Sequence, residues 1–220
     1  MSAKEFYAHI AQDGRTQTVL EHLRGTAQRS SACLMEMGLE RAAYLAGLLH
    51  DLGKFTEAFQ SYLREGNHSK RGSVIHTFQG CKYVLELDSN NFEQDPAAKA
   101  YTSELLAFAI GAHHGLFDCI DDAGKSGLQY RRTKENIFYQ EAIDGLNRQG
   151  ISRNEINHLF RQASEEIDRI IRQIDETYKD DEEYCFEIGL LARLLLSAVI
   201  EGDRHDTAAF MNLRFSRFCG

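Results

Sequence analysis

Leu48-Leu49-His50-Asp51-Leu52-Gly53-Lys54 decides how this chain is read. An apolar helical run from Tyr44 to Leu49 ends in a histidine and an aspartate, and a glycine and a lysine follow at once. Histidine and aspartate are good ligands for divalent metals. Neighbours on a helix point about 100° apart, at 3.6 residues per turn. They converge on one site if the helix breaks, which Gly53 permits. Asp51 can then bridge two ions while His50 serves one. A second adjacent pair, His113-His114, followed by Gly115, closes another apolar helical run. The competing reading is of histidines at helix C-termini, favoured there by the macrodipole.

Working outward, Leu39 to Asp51 is expected to be a central helix, apolar on most sides through Ala42, Ala43, Leu45, Ala46, Leu48 and Leu49. Arg15 to Cys33 reads as the helix before it, with His22 beside Val19, Leu20 and Leu23. Residues 1–14 read as an irregular lead-in, with His9 a surface or core histidine. Phe55 to Arg64 is a short helix, and Glu65 to Ser73 a polar loop with an exposed His68. His76 opens a helix to about Leu87, and Asp88 to Pro96 is an acidic loop. Ser103 to His113 is the helix that delivers the histidine pair.

Asp118 to Lys134 loses periodicity and carries Lys125, Arg131 and Arg132; it is read either as a loop whose basic residues meet phosphates or as ordinary surface. Glu135 to Leu146 is a short helix. Ser152 and Glu155 fit a capping box before a helix that runs to about Tyr178. Its apolar stripe is core packing, and His158 falls on its outer face. Lys179 to Glu183 is a charged turn. Tyr184 to Gly202 is nearly apolar, expected to lie buried beside the central helix and to end at Asp203, where a metal would partner a buried carboxylate.

The 220 residues contain one proline and no tryptophan, which suits one large helical domain over 1–220, with 210–220 a possible linker or tail. A net charge of −8 argues against nucleic-acid binding by bulk charge. It leaves room for a nuclease whose bound cations supply positive charge locally. Five scattered cysteines without a CxxC fit a reduced, cytoplasmic interior, most of them as small core residues. No signal peptide or membrane span is expected. GxxxxGK[ST], HExxH and GxSxG are absent, so P-loop hydrolysis and serine or thiol nucleophiles have no motif here.

The order His22, His50-Asp51, His76, His113-His114, Asp203 resembles the HD superfamily of metal-dependent phosphohydrolases. With Lys54 after the dyad and Asp203-Arg204-His205-Asp206 near the end, it looks like the HD nuclease of type I CRISPR systems. The resemblance implies an all-α globular fold around a central dinuclear metal site. One ion would be held by His22, His50, Asp51 and Asp203, the other by Asp51, His76, His113 and His114. Lys54 would steady a phosphate or an outer water, or else form a surface salt bridge. Asp206 would cap the helix or pair with an arginine. The implied activity is cleavage of single-stranded DNA with Mn, Co, Ni or Fe favoured over Mg. The implied partners are a helicase and an RNA-guided surveillance complex. Two other readings use the same residues: hydrolysis of a small nucleotide (a dNTP or cyclic dinucleotide), and a non-catalytic adaptor stabilised by metal.

Overall fold

The computed structural model describes residues 5–65, 74–87, 95–114, 127, 133–135 and 137–211. Among these residues the fold is all-α except for one antiparallel hairpin near the N-terminus. That hairpin corrects the expected irregular lead-in. Strand β1 (Tyr7–Ile10) pairs with β2 (Thr16–Thr18), with His9 opposite Gln17 and Ile10 opposite Thr16. The turn uses Gly14 at φ 86°, a backbone region glycine enters without strain. Strands of four and three residues are too short to show a readable alternation.

Helix α1 (Val19–Leu34) starts later than expected, because 16–18 belong to β2. A complete capping box marks its start. Thr18 Oγ1 accepts from the Glu21 N–H at 3.2 Å, and Glu21 Oε2 accepts from the Thr18 N–H at 2.8 Å. Helix α2 (Glu40–Leu49) is the central element, with Ala42, Ala43 and Leu45 through Leu49 all buried. It packs on α1 and is capped from outside. Its N-cap, Leu39, has no side-chain oxygen to offer, and Glu166 of α7 (Arg153–Thr177) accepts from the Arg41 and Ala42 N–H groups instead.

The helix does not continue through the His-Asp pair. It ends at Leu49, Asp51 takes φ −118° and ψ 33°, and residues Leu52–Phe55 form a 3-10 turn. Gly53 has no positive φ. Its use is close approach: its N–H donates to the His76 carbonyl at 2.9 Å, and a Cβ there would lie 2.5 Å from His76 Cα. Glycine thus docks the His76 segment on the dyad rather than breaking the helix.

Helices α3 (Glu57–Glu65), α4 (Phe78–Leu87), α5 (Pro96–Ala112) and α6 (Tyr139–Arg148) follow. Pro96 is the first residue of α5, not part of a loop, and Asp95 caps it by accepting from the Ala97 N–H at 3.0 Å. His76 precedes α4 instead of opening it. In α7, Ile156, Phe160, Ala163, Ile167, Ile171 and Ile174 are buried as the stripe required, and His158 is exposed. Ser152 Oγ accepts from the Glu155 N–H at 3.2 Å.

Helix α8 (Asp181–Phe210) departs most from expectation. It starts at the Asp180 cap, within the supposed charged turn, and runs past Asp203 for two further turns. Gly202 does not end it. A Cβ there would meet Ser30 Oγ at 2.5 Å and the Thr26 carbonyl at 2.7 Å, so glycine is what lets α8 lie against α1. Nor is the helix buried throughout: Phe186 is 67 % and Leu190 43 % exposed.

A single apolar core runs through all of these helices except α3, joined by Phe6 and Ala8 of the N-terminal segment. Of the described cysteines only Cys81 is buried, while Cys33 and Cys185 are exposed, against the expected core role for most. No described helix is long and apolar enough to cross a membrane. His68, the loop from Asp118 to Arg132 apart from Gly127, and 212–220 lie outside the described residues.

Candidate metal centre

The Asp51 carboxylate stands where the ends of α2 and α5, the C-terminal part of α8 and the first turns of α1 meet, and it is fully buried. Its two oxygens face different partners. Oδ2 lies 3.5 Å from His22 Nε2 and 3.3 Å from His50 Nε2. Asp203 Oδ1 closes that side, 3.4 Å from His22 Nε2 and 3.8 Å from His50 Nε2. Oδ1 lies 3.4 Å from His113 Nε2, 3.7 Å from His114 Nε2 and 3.7 Å from His76 Nε2.

Two groups able to hold a metal result: His22, His50, Asp51 and Asp203, and Asp51, His113 and His114. In each group the ligand atoms lie within 4.8 Å of one another. His76 stands beside the second group, its Nε2 2.9 Å from His114 Nε2. Two nitrogens bound to one ion at about 2.1 Å sit roughly 3 Å apart, so this spacing suits a shared ion. All seven residues singled out in the sequence therefore meet in one place.

The rings are oriented from behind. His50 Nδ1 donates to the Gly47 carbonyl at 2.7 Å, His113 Nδ1 to the Ile110 carbonyl at 2.7 Å and His76 Nδ1 to the Val74 carbonyl at 2.9 Å. A carbonyl can only accept, so each Nδ1 carries a proton and each ring turns its Nε2 inward. The i to i−3 contact is local to a helix end, which is why both the dyad and the doublet follow the last turn of a helix.

The consequence is electrostatically unsatisfied. His22 Nε2, His50 Nε2, His113 Nε2 and both Asp51 oxygens are buried without a hydrogen-bond partner. Lys54, 4 % exposed rather than a surface residue, brings Nζ to 2.8 Å from Asp51 Oδ2, out of line for a hydrogen bond. Buried acceptors aimed at one another repel unless a cation lies between them. The donor set, imidazole nitrogen with two carboxylates, fits divalent metal ions.

The titration behaviour shows the same demand for positive charge. Burial disfavours the His50 imidazolium, yet the Asp51 and Asp203 carboxylates outweigh it and raise the His50 pKa to about 10. Burial also opposes the Asp51 carboxylate, but Lys54 and the histidines, His50 first, hold its pKa well below the ordinary range. Burial, joined by the neighbouring His113, lowers His114 to about 3, and burial lowers His76 as well, so both rings stay neutral as ligands must be.

Sequence reasoning missed the outer layer. His9 is not an isolated surface or core residue: its ring meets His22 edge-on at 4.8 Å, and burial with nearby Lys54 and His22 pushes its pKa down to about 2. Asp206 pairs with His22 and, among the described residues, with no arginine, its Oδ2 2.8 Å from His22 Nδ1. Spacing held one available hint, since Asp203, Asp206 and Thr207 share a face of α8 at steps of three and four.

Helices closing on a buried His/Asp cluster that fits divalent metal define a metal-dependent hydrolase of the helical type. The HD domain family model matches residues 19–177, and the chain belongs to that family. The match takes in every candidate ligand except Asp203, which α8 brings back to the site from beyond it. Comparison with curated proteins produced no match.

Proposed function

We propose that this hydrolase is a nuclease that cleaves phosphodiester bonds of single-stranded DNA in CRISPR antiviral defence. The single observation that carries the hydrolytic part is the Asp51 carboxylate, buried and without a hydrogen-bond partner, dividing its two oxygens between two ligand groups. His22, His50, Asp51 and Asp203 would hold one ion, and Asp51, His76, His113 and His114 the other. Ions bound there supply Lewis acidity to a phosphodiester and make water acidic enough to attack near neutral pH.

The protein's own contribution is placement. Asp51 sets the spacing of the two groups, and the Nδ1 anchors hold the imidazoles so that little reorganisation accompanies reaction. Lys54 keeps a positive charge 2.8 Å from Asp51, and would balance part of the charge of a phosphate bound at the site. The His114 side chain is 46 % exposed and that of His76 19 %, so the second group opens to solvent, where a phosphate can reach it. Imidazole-rich ligation favours Mn, Co, Ni or Fe over Mg.

The nuclease reading draws its support from the adjacent His113-His114 pair and from Lys54 after the dyad. A chain of net charge −8 suits a catalyst that receives its strand from others. The proposed partners are a helicase and an RNA-guided surveillance complex in the cytoplasm. The test is cleavage of circular single-stranded DNA by metal-stripped protein, with Mn, Co, Ni, Mg or nothing added back. Ion-dependent cutting that Asp51→Ala abolishes is expected. Bound metal without cutting under any ion would refute the nuclease and move the assay to nucleotides.

A further inference from the structure

Asp206 belongs to neither ligand group, yet its side chain joins two others behind them. Its Oδ2 lies 2.8 Å from His22 Nδ1 and accepts from Gln17 Nε2 at 2.8 Å. Its Oδ1 rests over Gly25, one turn along α1 from His22, where any Cβ would overlap it. Gly25 is therefore the opening in α1 through which the carboxylate reaches His22.

His22 is unlike the other oriented rings. His50, His76 and His113 lean on main-chain carbonyls, whereas His22 leans on a side chain from another helix. That side chain is held in turn by the hairpin. Gln17 on β2 is the register partner of His9 on β1, and partners in register project to the same face. His9 Nε2 lies 3.3 Å from Thr207 Oγ1, which donates to Asp203 Oδ1 at 3.3 Å. Two paths thus run from the hairpin to the first ligand group, Gln17–Asp206–His22 and His9–Thr207–Asp203. Neither includes His76, His113 or His114.

We propose that Asp206, held by Gln17 and admitted by Gly25, is a positioning residue that sets the affinity of the ion bound by His22, His50, Asp51 and Asp203, leaving the other ion unaffected. A carboxylate behind a ligating imidazole locks the proton on Nδ1, fixes the ring plane and raises the basicity of Nε2. Loss of such a partner weakens metal binding by about 10–100-fold. The inference rests on the metal-hydrolase reading above, because it assigns a role toward an ion that reading requires.

The experiment is calorimetric titration of metal-stripped protein with Mn²⁺ alone, for wild type, Asp206→Ala and Gly25→Ala, with helicity checked by circular dichroism. Wild type is expected to bind two ions. In Asp206→Ala one class of site weakens by about 10–100-fold while the other stays within twofold. Gly25→Ala retains the carboxylate but displaces it, so it weakens the same class, although alanine in a helix interior is otherwise the more stable choice. This second variant decides the matter if Asp206→Ala does not fold. Wild-type isotherms in the folded variants, or equal weakening of both classes, overturn the proposal. A wild type that binds no Mn²⁺ instead overturns the metal reading beneath it.

Discussion

Metal should stabilise this fold strongly, and one substitution should remove the whole effect. Asp51 gives one oxygen to each ligand group, with His22 and His50 on Oδ2 and His113 and His114 on Oδ1. Any ion that binds the native state alone stabilises it by about 2.7 kcal/mol at a hundred times its dissociation constant. Two ions at that excess give roughly 5 kcal/mol. A chain of this size shifts by about 2–4 °C per kcal/mol, so saturation should raise the melting temperature by roughly 10–20 °C. Asp51→Ala deprives both groups and should flatten the response. Thermal unfolding of metal-stripped protein across a Mn²⁺ titration, followed by intrinsic tyrosine fluorescence, reads it directly. The reasoning fails if the variant keeps half or more of the wild-type shift, because the carboxylate would then not be shared.

Two further outcomes test the scaffold. Glu166→Ala removes the carboxylate that caps α2 through the Arg41 and Ala42 N–H groups, and should cost about 1–2 kcal/mol in urea unfolding without changing the slope; an unchanged midpoint would mean that water caps α2 equally well. Phe55→Ala empties a fully buried site edge-on to Phe6 at 5.5 Å and pressed on Gly145, and should cost about 3–5 kcal/mol. A loss under 1 kcal/mol would show that the 3-10 turn after the dyad collapses into the space.

Much of the site was legible because its ligands are written as words. His50-Asp51 and His113-His114 each follow an apolar run, and a helix end is where a ring can anchor Nδ1 on the last turn's carbonyl. The helical stripes were legible for the same reason: α2 and α7 bury the residues that their periodicity marks. Signals that depend on a partner elsewhere were misread. Gly202 looked like a helix end and Gly53 like a breaker, but both are contact glycines, set by Ser30 and Thr26 in one case and by His76 in the other.

By itself the sequence determined the helical class, the central helix and the His50-Asp51 and His113-His114 pairs, since these follow from local periodicity and from chemistry carried by adjacent residues. His22 and His76 joined the set only through the order of residues that resembles the HD superfamily. Only the tertiary structure decided that α8 runs on through Asp203, that Lys54 is buried against Asp51, and that a short hairpin carries His9 and Gln17 to the back of the site. The reason is physical: a side chain's surroundings are set by elements far along the chain, 184 positions apart for His22 and Asp206, and no local pattern records them.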